Sequence, residues 1–295
     1  DSFYNPMSSM MDYLSTFQDG LVASTRILRI LDNQSFEPKQ NVKSDLKITE
    51  GKIEFKHVTF SYDGENDVLN DINFTVNPGE TVALVGSTVS CKSSTINLLM
   101  RFYEFQSGQI LVDGHDIREY APEELRKKIG LVLQEPFLFY GDIASNIRMY
   151  NDEISDDDIR QAARFVQADK FIEELPRGYH NKVIERGAEY SGGQRQLISF
   201  ARTIVSDPKI LILDEATAHI DTETEDMIQG SLRKMSQSRT SLVIAHRLST
   251  IQDANQILVL KHGKIIERGT HDELLAKHGM YYDMYELQGN TQFDG

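Results

Sequence analysis

Two adjacent acidic residues at the end of an apolar run are the first candidates for chemistry. Residues Ile210 to Leu213 precede Asp214 and Glu215, a pattern typical of a buried parallel strand that brings carboxylates to the carboxyl edge of a sheet. Ligands bind at that edge in α/β folds. There Asp214 is suited to hold Mg²⁺ and Glu215 to accept a proton from an attacking water. Taken alone, the pair also fits a solvated strand end.

A second candidate lies shortly before this strand. Ser191-Gly192-Gly193-Gln194 opens a run that predicts a helix from Arg195 to Val205. The exposed amide groups at the N-terminus of a helix favour anions. Two elements suited to phosphate within one stretch, Tyr190 to Asp221, favour a nucleotide site over a solvated strand end.

A third candidate, Lys92-Ser93, follows a predicted buried strand at residues 81–86 and precedes a helix. Gly86, Lys92 and Ser93 keep the spacing of a phosphate-binding loop, in which Lys contacts the β- and γ-phosphates and the Ser hydroxyl binds Mg²⁺. A plain turn between strand and helix is the competing interpretation, and the other motifs disfavour it.

Composition narrows the class of protein. The 295 residues are enough for one large domain or two small ones. A net charge of −14 argues against general affinity for nucleic acid or anionic lipid. The single cysteine, Cys91, excludes an intrachain disulfide and fits a reducing cytosol. No apolar run reaches the ~18 residues that span a bilayer, and no signal peptide opens the chain, so we expect a soluble or peripherally attached polypeptide.

The elements that position these residues begin with an N-terminal helix. Apolar residues recur at spacings of three and four over residues 1–32, which predicts one amphipathic helix; they are Phe3, Met7, Met10, Leu14, Phe17, Leu21, Leu28 and Leu31. Residues 33–50 are polar, include Pro38 and lack periodicity, so they predict a linker.

A compact domain is predicted from Gly51 onward. Alternating patterns at residues 53–55, 58–62 and 72–76 indicate half-buried antiparallel strands, and buried strands are predicted at residues 81–86, 129–133, 209–213 and 241–245. His262-Gly263 indicates a hairpin turn. Residues 135–206 show helix-like runs and no strand pattern, which predicts a helical insertion. A pair of helices is predicted at residues 272–287.

In this order, the motifs resemble those of ATP-binding-cassette (ABC) ATPases over about residues 51–288, and in particular the nucleotide-binding domain of multidrug and lipid exporters. The resemblance implies an α/β fold of the P-loop NTPase class, with a mixed central sheet, an antiparallel β subdomain and an inserted α-helical subdomain at about residues 135–206. Residues 1–32 then resemble the cytosolic end of a last transmembrane helix, 33–50 a linker and 289–295 a tail.

The resemblance also implies a function. Such domains hydrolyse ATP with Mg²⁺ at the cytoplasmic face of the cell membrane as part of a transporter, although this fragment itself is expected to be soluble. Two domains face head to tail as a homo- or heterodimer, and each also contacts coupling helices of a transmembrane domain. ATP binding closes the dimer, and hydrolysis reopens it to drive export. No nucleic-acid partner is expected.

Individual roles follow from the resemblance. It implies catalytic roles for Glu215, His246, Lys92 and Gln134, metal binding by Ser93, Gln134 and Asp214, and stacking of adenine on Tyr62. The phosphate loop comprises Gly86, Ser87, Thr88, Val89, Ser90, Cys91, Lys92, Ser93 and Ser94. A partner's nucleotide contacts Ser191, Gly192, Gly193, Gln194 and Asp221. Residues 135–140 and Glu185-Arg186-Gly187 resemble segments that meet the membrane domain.

The sequence departs from the family pattern in its phosphate loop. Val89 and Cys91 stand where the family has Gly, which permits positive φ and close approach of backbone amides to phosphate. If both positions require left-handed geometry, the strain is on the order of 2 to 4 kcal/mol, which weakens ATP binding by roughly 30- to 1000-fold. Tyr190 replaces the commonest Leu and leaves the Ser-Gly-Gly-Gln core intact.

Two alternatives remain open at this point. The first is a hydrolysis-impaired cassette, altered at Val89 and Cys91, that binds a partner cassette and contributes its signature motif in trans. The second is a soluble ABC ATPase of DNA repair or translation. Repair-type members carry a long coiled coil between loop and signature, whereas only ~100 residues separate them here, and the acidic charge disfavours nucleic acid.

Overall fold

A computed structural model describes residues 4–32, 37–86, 89–149, 151–214, 222–245 and 247–291. The chain divides into two units, of which the first ends at Glu37 and the second starts at Pro38. The site residues predicted at Ser87, Thr88, Glu215, Asp221 and His246 lie outside the described residues.

The strands and helices of the described residues are as follows. The strands are β1 (Ile53–Ser61), β2 (Asp67–Val76), β3 (Thr81–Gly86), β4 (Ser107–Val112), β5 (His115–Asp116), β6 (Ile129–Val132), β7 (Gly141–Asp142), β8 (Lys182–Val183), β9 (Ile210–Asp214), β10 (Thr240–Ile244), β11 (Gln256–Lys261) and β12 (Lys264–Gly269). The helices are α1 (Tyr4–Leu31), α2 (Val89–Leu99), α3 (Pro122–Lys128), α4 (Ile143–Arg148), α5 (Asp156–Phe165), α6 (Asp169–Glu174), α7 (Gly192–Ile204), α8 (Thr222–Ser236), α9 (His271–Ala276) and α10 (Met280–Thr291).

The helix α1 belongs to the first unit. It lies where apolar residues at spacings of three and four predicted a helix. It runs for 28 residues, and its apolar side chains, such as Met10 and Phe17, are exposed. Among the described helices, none is both long and apolar enough to cross a membrane.

The second unit is built on a mixed sheet. Its strands follow the order β12, β11, β3, β10, β9, β6 among the described residues. The strands from β11 to β6 are parallel to their neighbours, and β12 pairs with β11 antiparallel. Leu84, Ile212 and Leu242 are at most 1% exposed, because the sheet is covered on both faces, as parallel strands require. This arrangement confirms the predicted mixed central sheet.

A second, antiparallel sheet forms the predicted β subdomain. It has the order β2, β1, β4, β5 among the described residues. Phe55 of β1 stacks on Phe74 of β2 with ring centroids 4.6 Å apart, a cross-strand contact that fixes the register. The sequence did not predict β4 and β5.

The predicted helical insertion contains α4 to α7, which share a core that includes Ile147, Ile159, Ile172 and Leu197. The structure adds two strands to it, because β7 and β8 pair antiparallel at Gly141 and Val183. The sequence shows no strand pattern here, because two residues are too short a run to show the alternation on which such a prediction depends.

The segment before Gly51, predicted as a linker, packs on the second unit from Pro38 onward. Ile48 is 3% exposed, and its N–H donates to the buried Glu124 carboxylate at 2.9 Å. The Asp113 carboxylate accepts the backbone N–H groups of residues 49–52 at 2.8 to 3.1 Å. These partners are far away in sequence, so local periodicity carries no trace of them.

Candidate functional site

Four neighbouring parallel strands end at one edge of the central sheet. In register, Leu84 of β3 lies opposite Ile244 of β10, which lies opposite Asp214 of β9, and Leu213 of β9 lies opposite Val132 of β6. Adjacent strands are about 4.8 Å apart. The chain segments that carry Gly86, Asp214 and Gln134 therefore leave the sheet side by side. Glu215 and His246 follow β9 and β10 in the sequence.

Gly86 closes β3 under a tight constraint. Its φ is +153°, and a Cβ atom there would lie 2.2 Å from the carbonyl oxygen of Leu260 on β11. Only glycine fits such an approach. The helix α2 starts at Val89, so only residues 87 and 88 separate strand from helix.

The two departures in the phosphate loop, Val89 and Cys91, both fall within the right-handed helix α2. The Cys91 side chain is 3% exposed and belongs to the apolar core. Both residues therefore have right-handed helical backbone geometry, without the left-handed strain that glycine would avoid. Helix α2 instead starts close to the end of β3, and the packing of the Cys91 side chain in the core stabilises this first turn.

Lys92 lies in the first turns of α2, where it is 1% exposed. Its ammonium donates to the carbonyl oxygen of Gly86 at 3.2 Å. The first four N–H groups of a helix have no intrahelical acceptor, and in α2 these belong to residues 89–92. A buried cation beside such donors, at the carboxyl edge of a sheet, fits a phosphate group.

Tyr62, the predicted adenine platform, lies beside the same helix. Its hydroxyl is 2.9 Å from the Ser94 hydroxyl and accepts a hydrogen bond from the Asn97 side chain at 3.0 Å. Phe60 and Tyr103 meet the ring edge to face at 4.7 and 4.8 Å. The ring is nevertheless 48% exposed, which leaves aromatic surface for a base to cover. Ser94 itself is buried against Tyr62.

The predicted metal ligands offer oxygen atoms from three elements. Ser93 is half-buried in α2, Asp214 is half-buried at the end of β9, and Gln134 is exposed just after β6. A hydroxyl, a carboxylate and an amide oxygen suit Mg²⁺, which proteins hold through one or two carboxylates together with substrate phosphates. Among the described residues, no three His, Cys, Asp or Glu side chains form a metal cluster. The oxygen atoms of Ser93, Asp214 and Gln134 fit a magnesium ion that is shared with a nucleotide.

The signature element forms the N-terminus of α7. Gln194 N donates to the Ser191 hydroxyl at 3.1 Å, and the Gln194 side chain accepts from Ser191 N at 3.0 Å. This reciprocal pair is a capping box. A Cβ atom on Gly193 would lie 2.2 Å from the Thr224 methyl group of α8, so α8 fixes glycine at this position.

The turn before α7 is held by two side chains. Tyr190 is 4% exposed, and its hydroxyl donates to the Lys182 carbonyl at 2.9 Å while accepting from Asn181 at 2.8 Å. Burial raises the pKa of Tyr190. The Arg195 guanidinium donates to the Tyr190 carbonyl at 2.7 Å. The Tyr that replaces the commonest Leu thus ties the signature to β8.

Comparison with known proteins decides the family. A family model described as ABC transporter matches residues 69–218. The chain belongs to the ABC transporter family. The Bacillus subtilis protein called "Probable multidrug resistance ABC transporter ATP-binding/permease protein YheH" is 47% identical to it over 97% of this chain and 42% of its own length. The "Fatty acid ABC transporter ATP-binding/permease protein" of Mycobacterium bovis is 44% identical over 96% of this chain and 44% of its own length.

A solved ABC structure agrees with the fold. A bacterial Atm1-family ABC exporter with ATP bound superposes with a TM-score of 0.81 at 38% identity, covering 92% of this chain and 48% of that one. The chain thus spans less than half the length of these proteins. The chain is an ATP-binding cassette of the kind found in ABC exporters, and these relatives give no support to a DNA-repair or translation ATPase.

Two segments that, by family resemblance, are expected to contact the membrane domain lie next to each other in this ABC cassette. Phe137, Phe139 and Tyr140 are 43%, 39% and 82% exposed and are called the aromatic patch below. The Arg186 guanidinium lies over the Phe137 ring, 5.5 Å from its centroid. A Cβ atom on Gly187 would lie 2.8 Å from the side chain of the buried Leu138. The structure therefore joins the two segments into one surface.

Sequence reasoning missed the residues that hold this patch in place. Asn146 is 1% exposed and bonds both the N–H and the carbonyl of Phe139 at 2.8 Å. Arg202 of α7 donates to the carbonyls of Phe137 and Asn146 at 2.9 and 2.8 Å. Burial lowers the pKa of Arg202 to about 10. The signal in the sequence was Arg202 itself, because an arginine on the apolar side of the amphipathic helix α7 needs polar partners.

Proposed function

We propose that this cassette binds ATP with Mg²⁺, hydrolyses it in a head-to-tail dimer and so drives export through a transmembrane domain. The observation that carries the proposal is the shared edge of β3, β10, β9 and β6. This edge gathers the segments of Lys92, Asp214 and Gln134. In the sequence, Glu215 directly follows β9, and His246 stands two residues after the end of β10.

On its own nucleotide, each chain acts through this edge. Lys92 neutralises charge on the β- and γ-phosphates, and the N-terminal amides of α2 bind the same oxygens. Glu215 accepts the proton of the attacking water while Gln134 and His246 orient the water and the γ-phosphate. Ser93, Asp214 and Gln134 would hold Mg²⁺, which supplies further neutralisation of phosphate charge when bound. Tyr62 stacks on the adenine.

On a partner's nucleotide, the same chain acts through α7. The amides of Gly192 and Gly193 and the hydroxyl of Ser191 lie at a helix N-terminus, which attracts the γ-phosphate. Asp221 belongs to the loop that crosses the dimer interface. ATP then lies between one chain's α2 and its partner's α7, and binding closes the dimer.

The aromatic patch is the surface for coupling helices of the membrane domain. Exposed clustered aromatics with a cation beside them are typical of an interaction site. Residues 1–32 continue the last membrane helix into the cytosol, and residues 33–50 connect it to the cassette at residues 51–288, which is followed by the tail at 289–295. These assignments place the working protein at the cytoplasmic face of the cell membrane.

The test is ATP turnover by the chain with and without its base. Glu215→Gln should lower kcat by about 100-fold or more, since a general base contributes that much, while ATP binding with Mg²⁺ persists. The proposal would be overturned if the unmodified chain neither binds nor hydrolyses ATP.

A hydrolysis-impaired cassette is the remaining alternative, because the structure extends α2 through Val89 and Cys91. The variant Val89→Gly with Cys91→Gly separates the two. Turnover that rises several-fold in this variant supports impairment by the departures. Equal turnover in both chains rules impairment out.

A further inference from the structure

A cavity of about 580 Å³ lies beside the central sheet, which contributes Thr81 at the start of β3 and Leu213 and Val243 near the ends of β9 and β10. Helix α8 forms one wall, and residues 249–254 form the other. Cavities of roughly 300 to 1,000 Å³ are typical of small-molecule sites. In the described part of the chain, its lining includes none of the residues assigned to phosphate, metal or signature.

The floor of the cavity is apolar. Leu213 of β9 and Val243 of β10 line it from the sheet, Leu232 from α8 and Ile251 from the opposite wall. Leu232 and Val243 remain partly exposed, so apolar surface is left that a ligand can cover. A flat or globular hydrocarbon body matches this floor.

The rim of the cavity is acidic. Asp226 and Arg233 line it from α8, and Asp253 lines it from the opposite wall. Glu225 also lines it but is paired with Arg247 at 2.7 Å. Within the described residues, Asp226 and Asp253 have no cationic partner within 4 Å. The rim therefore carries net negative charge on a chain whose overall charge is −14, which attracts cations and repels anions.

From this apolar floor and acidic rim, we infer that the cavity binds a small organic cation with an apolar body, at a site separate from the nucleotide. An anion such as a nucleotide is excluded by the same charges. A purely apolar ligand would leave Asp226 and Asp253 without a partner.

The walls connect this cavity to the catalytic edge. Helix α8 starts directly after residues 215–221, which include the proposed base, and the opposite wall follows His246 in the sequence. The Arg247–Glu225 ion pair joins α8 to the chain just before the opposite wall. A bound cation would brace both elements, so its affinity and that of ATP must influence each other to the same extent. This coupling rests on the proposed function, whereas the binding does not.

The probe is tetraphenylphosphonium, titrated calorimetrically into the full chain without nucleotide. Saturable binding at one site is expected, with a Kd of roughly 10 to 100 μM. Tetraphenylborate has the same shape and the opposite charge, and it should bind at least about tenfold more weakly. Because no nucleotide is present, failure of the proposed ATPase leaves this result unaffected.

Three variants locate the site. Asp226→Asn with Asp253→Asn should weaken phosphonium binding by about tenfold, while Asp152→Asn, an exposed acid outside the lining, should leave it within about twofold. Gln229→Trp should abolish binding by filling the cavity from α8. Thermal unfolding confirms that each variant is folded, and the two asparagine substitutions are on the surface. Equal binding of phosphonium and borate, or unchanged binding in the double asparagine or tryptophan variant, would overturn the inference.

Discussion

The helices α2 and α7 both start at segments assigned to phosphate, yet they are built differently. At the start of α7, Ser191 and Gln194 cap each other, and the Arg195 guanidinium donates to the Tyr190 carbonyl in the preceding turn. The start of α2 buries the ammonium of Lys92 against the Gly86 carbonyl. The signature is therefore a preformed surface that can be presented to a partner. The phosphate loop instead places a buried cation beside the N-terminal amides of α2, an arrangement that fits a phosphate group.

The largest effect is expected at α2. Lys92→Ala should weaken ATP binding by about 100-fold, because it removes a charge-assisted contact from a buried site. A titration with a fluorescent ATP analogue measures this change. Lys127→Ala, on the exposed side of α3, is the matched control and should keep the affinity. If the Lys92→Ala variant binds ATP as tightly as the parent chain, Lys92 does not hold the nucleotide, and the proposed difference between α2 and α7 is wrong.

At α7 the expected effect is on folding. Gly193→Ala places a methyl group 2.2 Å from the Thr224 methyl group, and overpacking of this kind costs about 2 kcal/mol of unfolding free energy. Thr224→Ser removes the opposing methyl group and keeps the hydroxyl, so it should recover most of the loss in the double variant. Denaturant unfolding of the four chains measures the coupling, and additive effects would contradict the contact.

Glycine substitutions at α2 should separate binding from stability. Val89→Gly with Cys91→Gly frees the loop to approach phosphate, which should raise ATP affinity by roughly tenfold. The same change lowers the unfolding free energy by about 1 to 2 kcal/mol, since it puts glycine into a helix and removes a buried thiol. Nucleotide titration measures the change in ATP affinity, and denaturant unfolding measures the change in unfolding free energy. If both quantities fall, α2 does not restrain the loop.

The smallest effect is expected at the turn before α7. Tyr190→Phe keeps the ring and removes the hydroxyl that bonds Lys182 and Asn181, which should cost about 1 kcal/mol of unfolding free energy. Tyr190→Leu tests the residue that is commonest in the family and should cost somewhat more, because it also leaves a cavity. Unfolding of both variants at pH 7 checks the order. Stability equal to that of the parent chain would show that Tyr190 does not hold the signature.

The sequence predicted the parts of the fold that depend on local pattern. Buried runs identified β3, β6, β9 and β10, and the strand ends they define carry the site. It did not predict β4, β5, β7 or β8. Strands β5, β7 and β8 have two residues each, too few to show alternation, and β4 starts with Ser107, Gly108 and Gln109, which give no alternating pattern. The sequence predicted a linker at residues 33–50. The contacts of that stretch with Asp113 and Glu124 were not predicted, because those partners are distant in the sequence.

The chemistry of the candidate site stays a prediction from the sequence, whereas the residues that support the site emerged only from the structure. The order of the motifs pointed to Lys92, Asp214 and the signature, and the comparisons show the family to which they belong. The helical state of Val89 and Cys91 depends on core packing around α2, which no motif encodes. Likewise, Asn146 and Arg202 hold the aromatic patch through bonds to backbone carbonyls, whose positions exist only in the folded chain.

The central claim is that α2 and α7 of one chain serve two different nucleotides. Lys92→Ala disables the first element. Gly192→Asp disables the second by charge repulsion, while an acid in the first turn of α7 still suits the helix. Each variant alone should be inactive in ATP hydrolysis.

An equal mixture of these two variants tests the claim most directly. When chains pair at random, half of the dimers hold one complete site of two, so the mixture should recover about one quarter of the parent rate. A mixture as inactive as its components would contradict the account, and so would either variant that is fully active alone.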